Sequence, residues 1–216
     1  MRKSTRRILA IVLAVTMILT SMATAVFAAE TSNDASTYAD SANILKGFGI
    51  FVGDENGDLM LEQQLTRQDA VIIALRLMGK QDVEFETYEM PSDFTDILDE
   101  YYLPIIGMAQ DLGLVEGMGD GTFGFDQLVT AQQLETILLR ALGFEITDDI
   151  YADVHQMAQE MGLTNLVTAD GTTEITRDIV AQMMLNTLNT NVKDTEEKLG
   201  VQLGFMEEEP QLAALE

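Results

Sequence analysis

The chain of 216 residues carries 36 acidic against 12 basic side chains, a net charge of −24. So acidic a surface repels phosphate backbones and argues against nucleic-acid binding. Cysteine is absent, which excludes disulfide frameworks, thiol nucleophiles and thiolate metal sites, and a single histidine, His155, excludes a histidine-rich metal centre. A hydrophobic content of 47% argues against wholesale disorder.

The N-terminus reads as an export signal over residues 1–28. Met1 to Arg7 is basic, Ile8 to Leu19 is apolar apart from Thr16, and Ser21 to Ala29 is small and neutral. Val26-Phe27-Ala28 sets a cleavage pattern before Ala29. The alternative is an uncleaved transmembrane anchor. The Thr20-Ser21 interruption and the small-residue finish favour cleavage, which leaves a mature chain with no membrane span. This leader holds four bases and no acid, so the mature chain keeps 36 acids against eight bases, a net charge of −28.

Beyond the leader one pattern occurs three times. Tyr38, Gly49 and Thr66 recur 64 positions on as Tyr102, Gly113 and Thr130, and again, in eroded form, as Tyr151, Gly162 and Thr176. The copies span 36–80, 92–145 and 150–190, with a polar acidic tail at 191–216 that is expected to fray. Each copy reads as helix, Gly-rich loop, helix. The glycines at 49 and 113 sit at left-handed C-caps, each followed by an apolar residue able to pack back. The threonines are N-caps, with a full capping box in Thr130-Ala131-Gln132-Gln133 and half of one at Thr176. Apolar positions then repeat at helical spacing: Ala70, Ile73, Ala74, Leu77; Leu134, Ile137, Leu138, Ala141; and Val180, Met183, Met184, Thr187, where the stripe weakens. The second helices are expected to stop at Gly79, Gly143 and Asn189, residues that tolerate positive φ. Two short helices bury little alone, but three stacked units share a core. The reading is a compact all-α assembly with grooves between adjacent copies.

These pieces resemble the S-layer homology domain. The first copy offers Gly49-Ile50-Phe51-Val52-Gly53 and Thr66-Arg67-Gln68-Asp69. The second offers Phe94-Thr95-Asp96-Ile97, Gly113-Leu114-Val115-Glu116-Gly117, Asp120-Gly121-Thr122-Phe123 and Leu138-Leu139-Arg140-Ala141-Leu142-Gly143. The third keeps Tyr151-Ala152-Asp153-Val154 and Thr176-Arg177. The resemblance implies three helix–loop–helix repeats packed as a pseudo-threefold, three-pronged module. It implies an exported bacterial protein held non-covalently at the cell wall or S-layer, on a secondary cell-wall polysaccharide, often pyruvylated, or on peptidoglycan. The family's tetrapeptide arginine, loop glycines and first-helix aromatic line its grooves. Carried over, these are Arg67 and Arg177 beside Thr66 and Thr176, Gly53 and Gly117, and Tyr38, Tyr102 and Tyr151. The tyrosines stand either as replacements for the absent tryptophan or as core and rim residues, and the glycines serve loop geometry as well.

The residues support an anion site independently. Arg67 and Arg177 occupy the first helical position, where a cation opposes the helix dipole by about 0.3–1 kcal/mol. An arginine beside unpaired N–H groups offers a carboxylate site with fork geometry. Pairing with surface acids is the plain alternative. Position 131 is Ala, so the second groove is expected to lack its arginine. Arg76 and Arg140 lie in last helical turns and read as structural.

No cofactor, catalytic centre or metal is expected. Asp54-Glu55-Asn56-Gly57-Asp58 resembles the opening of a calcium loop but has Leu59 and Leu65 at the sixth and twelfth positions. Gly117 to Gly124 lacks the lysine of a phosphate loop. Three readings of function stand: a wall-polysaccharide or peptidoglycan binder, an envelope assembly or scaffold protein that no longer binds glycan, and the anchor of an enzyme whose catalytic part lies elsewhere.

Overall fold

The computed structural model describes residues 37–207. The expected leader and the chain from residue 208 lie outside them. Among the described residues the structure is helical, with strand-like pairing confined to isolated bridges, and no helix is long and apolar enough to cross a membrane.

The first repeat supplies α1 (Ala39–Gly47) and α2 (Arg67–Leu77), and the linker after it forms α3 (Asp82–Glu86). The second supplies α4 (Tyr102–Asp111) and α5 (Ala131–Ala141). In the third, α6 (Asp148–Tyr151) ends at the tyrosine where the first helix was expected to begin, and α7 (Val154–Glu160) is that first helix, followed by α8 (Arg177–Leu188); α9 (Leu199–Gln202) comes last. Gly49, Gly113 and Gly162 close the first helices with φ of 76°, 69° and 79°. The apolar residue after each cap folds back: Ile50, Leu114 and Leu163 donate to Leu45, Ala109 and Ala158, each at 2.9 Å.

The two helices of a repeat are not the closest partners. The most extensive helix contacts are α4 on α2, α7 on α5 and α1 on α8. Each first helix thus packs on the second helix of another repeat. Ser41 of α1 donates to Gln182 of α8 at 2.6 Å inside that contact. Across α5 and α7, the fully buried Glu135 holds His155 Nδ1 at 2.8 and 3.0 Å. Burial raises the Glu135 pKa above the usual carboxylate range, and the imidazole opposes the rise.

The segments entering the second helices bind one another in a closed circuit. The Leu65 N–H donates to Ile175 O (3.2 Å), Ile175 N–H to Val129 O (3.2 Å), and Val129 N–H to Leu65 O (2.8 Å). All three side chains are buried. Beside them Arg67, Ala131 and Arg177 donate their N–H groups to Gln127, Thr173 and Gln63, each at 2.9 Å. Every anticipated stripe position of the second helices is buried. Thr187 is fully so, its hydroxyl satisfied by Met183 O at 2.8 Å.

Three expectations are corrected. The stretch after Thr190 is packed through residue 206 rather than frayed: Leu199 is buried, α9 lies on α8, and the Phe205 ring sits 5.5 Å from that of Phe48. Leu203 and Met206 pack on the core beside them. Asn189 ends α8 with φ −88° and so uses no left-handed conformation, unlike Gly79 and Gly143 at 75° and 90°. Thr176 receives no capping bond on its side chain; its hydroxyl donates instead to Asp178, whose carboxylate accepts the Ile179 N–H at 2.8 Å.

The acidic linker is seated as well. Phe85 of α3 is buried against the core, and the Met90–Ser92 backbone crosses α4 at Gly107. A Cβ there would lie 2.1 Å from Met90 O. Gly107→Ala should therefore lower unfolding stability by about 1–3 kcal/mol, despite alanine's better helix propensity. A shift in the midpoint of urea unfolding measures it.

Candidate functional site

Each glycine-capped loop faces the second helix of its own repeat across a groove. In the first groove Gly49 and Val52 face Arg76 and Asp82. In the second, Leu114 to Met118 face Gln133, Thr136 and Arg140. In the third, Gly162 and Asn165 face Asn186 and Asn189. Arg76, Arg140 and Asn186 occupy matching places near the ends of α2, α5 and α8.

The predicted arginines cross between repeats. Arg67 starts α2, but its Nε donates to Phe123 O at 3.0 Å and its Nη2 to Glu116 O at 3.5 Å, both in the second repeat. The guanidinium lies 4.8 Å from the Phe123 ring centroid, close enough for a cation–π contact. Arg177 repeats this in the first repeat's loop, donating to Leu59 O (2.8 Å) and Val52 O (3.1 Å) with Phe51 beneath it at 5.3 Å. The expectation that Ala131 empties the second groove is therefore wrong. Because each arginine reaches into another repeat, the missing one is lost to the third groove, where Asn186 also replaces the second arginine. Arg67 serves the second groove and Arg177 the loop of the first.

The notion of unpaired helix N–H groups beside these arginines is corrected too. Those of Arg67 and Arg177 are bonded to Gln127 and Gln63. Charge at the site comes from the side chains. Arg67 is 9% exposed, lines a cavity of about 230 Å³, and forms no ion pair with any carboxylate among the described residues. Burial lowers its pKa, Arg140 adds to the lowering and Asp96 opposes it. Burial lowers the Arg177 pKa as well, against the pull of Asp69. A guanidinium keeps its proton at neutral pH all the same.

The other candidates divide. Tyr151 lines the second groove with Arg67. The Tyr38 hydroxyl donates to Leu166 O at 2.5 Å, tying the first repeat to the third loop. Tyr102 packs edge-on against Phe125 (5.2 Å) and Tyr101 (5.1 Å), beside Gln68 and Asp126 rather than in an arginine-bearing groove. Thr66 and Thr176 spend their hydroxyls on Asp69 and Asp178 at the helix starts. Gly53 and Gly117 answer to close packing: a Cβ on Gly53 would sit 2.6 Å from Asp58 O, and one on Gly117 2.4 Å from the Phe94 ring.

Sequence reasoning missed Arg140 as a groove residue. Its Nη2 lies 2.8 Å from both Ile146 O and a Glu116 carboxylate oxygen, and it lines the same cavity as Arg67. The recurrence of arginine at 76 and 140, one repeat apart, was the available signal. It also left Asp96 without a role. That carboxylate accepts the N–H groups of Phe123, Gly124 and Phe125, each at 2.8 Å, and so fixes the turn that supplies Arg67 with Phe123 O. The calcium-like loop closes on itself, with Asp54 accepting from Asn56 and Asp58 at 2.9 Å. No group of three metal-ligating side chains occurs among the described residues.

The segment holding Asp96, its turn and the Thr130 cap is also the one that matches a family model, the S-layer homology domain, over residues 93–130. Relatives agree. A "Cell surface protein" of Thermoanaerobacter kivui is 27% identical over 76% of this chain and 22% of its own length. A "Surface layer protein" of Brevibacillus choshinensis is 26% identical over 67% of the chain and 13% of its own. "Cell surface glycoprotein 1" of Acetivibrio thermocellus is 31% identical over 42% of the chain and 4% of its own. The chain thus spans less than a quarter of the length of these relatives. With that domain and those relatives, it is a cell-surface protein of the S-layer type.

Within the S-layer homology segment, Asp96 yields a test. Burial alone would raise its pKa, but three backbone N–H groups together hold it below the ordinary 3.8. Its contribution to stability is therefore complete above that ordinary value and is lost as pH falls through the folded-state value. Asp96→Ala should cost about 1–3 kcal/mol at neutral pH, the penalty of stranding those donors. Asp96→Asn should flatten the loss of stability that sets in as pH falls below the ordinary 3.8. Urea midpoints measured across that fall in pH report both.

Proposed function

We propose that the chain holds to the bacterial cell wall non-covalently, through an acidic polysaccharide seated in the groove of Arg67, Arg140 and Tyr151. The observation that carries this is the Arg67 guanidinium, almost fully buried, facing a cavity and without a carboxylate partner. Burying a charge is costly unless it is paired, so a site that keeps such a cation is suited to an incoming anion. A sugar carboxylate, such as a pyruvate ketal, fits its fork. The tyrosine adds a flat face for a sugar ring and a hydroxyl for its edge. The resemblance points to secondary wall polysaccharide first and peptidoglycan second. Nothing in this chemistry calls for catalysis, and the role is structural.

The three repeats are proposed to form a pseudo-threefold module. The closed Leu65–Ile175–Val129 circuit and the exchange of first helices between repeats support it. A second reading, an assembly protein without glycan binding, draws on the third groove. There Ala131 and Asn186 replace both arginines, and Asn186 spends its amide on Leu163 O and Asn165 O.

Arg67→Ala should weaken binding to isolated sacculi about 10- to 100-fold, the worth of a charge-assisted hydrogen bond. Co-sedimentation before and after extraction of the secondary polymer measures it. Binding that survives extraction unchanged moves the ligand to peptidoglycan, and self-association without sacculus binding favours assembly. The acidic body repels an anionic polymer over roughly 10 Å, whereas the buried site is screened less. Binding should therefore strengthen as salt rises from about 10 to about 150 mM; a steady fall overturns that charge argument.

A further inference from the structure

Glu116 meets both arginines of the second groove. Its backbone oxygen accepts from Arg67, and its carboxylate lies 2.8 Å from Arg140 Nη2. Arg140 does not depend on that carboxylate for its position. Its side chain is only 10% exposed and also donates to Ile146 O and Leu114 O, at 2.8 and 3.5 Å. The Glu116 side chain, by contrast, is 69% exposed. An ion pair with one partner so solvated is worth little, so the carboxylate can swing into water while the arginine stays in place.

The corresponding arginine of the first groove is closed differently. Arg76 Nε and Nη2 each lie 2.9 Å from a different oxygen of Asp82, a two-point clamp. Asp82 is the first residue of α3, and Phe85 of that helix is buried in the core, so this carboxylate is tethered to packed structure. Asp82, at 61% exposed, is almost as solvated as Glu116, so what distinguishes the two carboxylates is contact: Asp82 holds its arginine at two points and Glu116 at one.

We propose that Glu116 is an exchangeable counter-ion, a carboxylate of the protein's own that the carboxylate of an acidic sugar replaces on Arg140. Asp82 is the permanent version, which leaves the second groove as the site for acidic ligands and denies the first its second cationic contact. This deepens the wall-binding reading above and rests on it. It makes Glu116 a regulator of affinity: Arg140 keeps a counter-ion when the groove is empty, and the groove selects ligands able to supply the lost charge. A neutral sugar would displace the glutamate without compensation.

The probe is wall polysaccharide released from the producing bacterium, native and after chemical reduction of its carboxyl groups, with affinity read by calorimetry. Glu116→Gln should bind the native polymer about two- to fivefold tighter than wild type and gain nothing on the reduced polymer. Glu55→Gln removes an exposed charge from the loop of the first repeat and separates exchange from general repulsion, so it should change neither. Unchanged or weaker binding by Glu116→Gln, an equal gain on the reduced polymer, or an equal gain by Glu55→Gln overturns the proposal. If wild type fails to bind the native polymer, the wall-binding reading falls with it. If Arg67→Ala weakens binding and Glu116→Gln has no effect, only the exchange falls.

Discussion

The structure depends on three backbone hydrogen bonds that close on themselves. Leu65, Ile175 and Val129 each donate to the next, one from each repeat, and all three side chains are buried. Each bond is worth about 0.5–1.5 kcal/mol net, but an unpaired N–H at this depth costs more than the bond returns. The circuit is therefore hard to form in part, since removing one repeat leaves both a buried donor and a buried acceptor without partners. The cross-repeat bonds from Arg67, Ala131 and Arg177 lie directly beside it.

That closure sets where the functional side chains go. Once the first residue of α2 is bonded to Gln127, its side chain enters the second repeat, and Arg67 ends on Phe123 O and Glu116 O rather than in its own loop. The candidate groove is consequently composite. Arg67 comes from the first repeat, Arg140 and the glycine-capped loop from the second, and Tyr151 from the third. The acidic body and the cationic groove are then two aspects of one arrangement. Eight bases beyond residue 28 are few, and two of them converge on a single cavity.

Much of this was legible from residues alone. The glycine caps at 49 and 113, the N-caps Thr66 and Thr130 and the buried stripes of α2 and α5 follow from local rules of backbone freedom, capping and helical period. Arg67 stood out because a cation at a helix start acts against the dipole. Other features were illegible for identifiable reasons. Leu199, Val201, Leu203, Phe205 and Met206 form a short apolar run broken by Gly200, Gln202 and Gly204, too short and irregular for its spacing to announce that the chain after Thr190 packs. Arg140 looked explained, since a last-turn cation suits the dipole, and one sufficient local reason hid a second. The capping and Asx bonds that spend Thr66, Thr176 and Asp54 internally depend on side-chain rotamers that spacing does not encode.

By itself the sequence determined part of the local structure: the glycine caps at 49 and 113, the starts of α2, α5 and α8 after their threonines, and the apolar stripes of those three helices. These depend on interactions within a few residues. Only the tertiary structure decided the partners. A first helix has the same stripe whether it packs on its own second helix or on another's, so α4 on α2, α7 on α5 and α1 on α8 could not be read from period or composition. The error about Ala131 has the same origin. Counting arginines within each repeat assumed that a side chain serves the repeat that encodes it, and the crossed packing sends it to another.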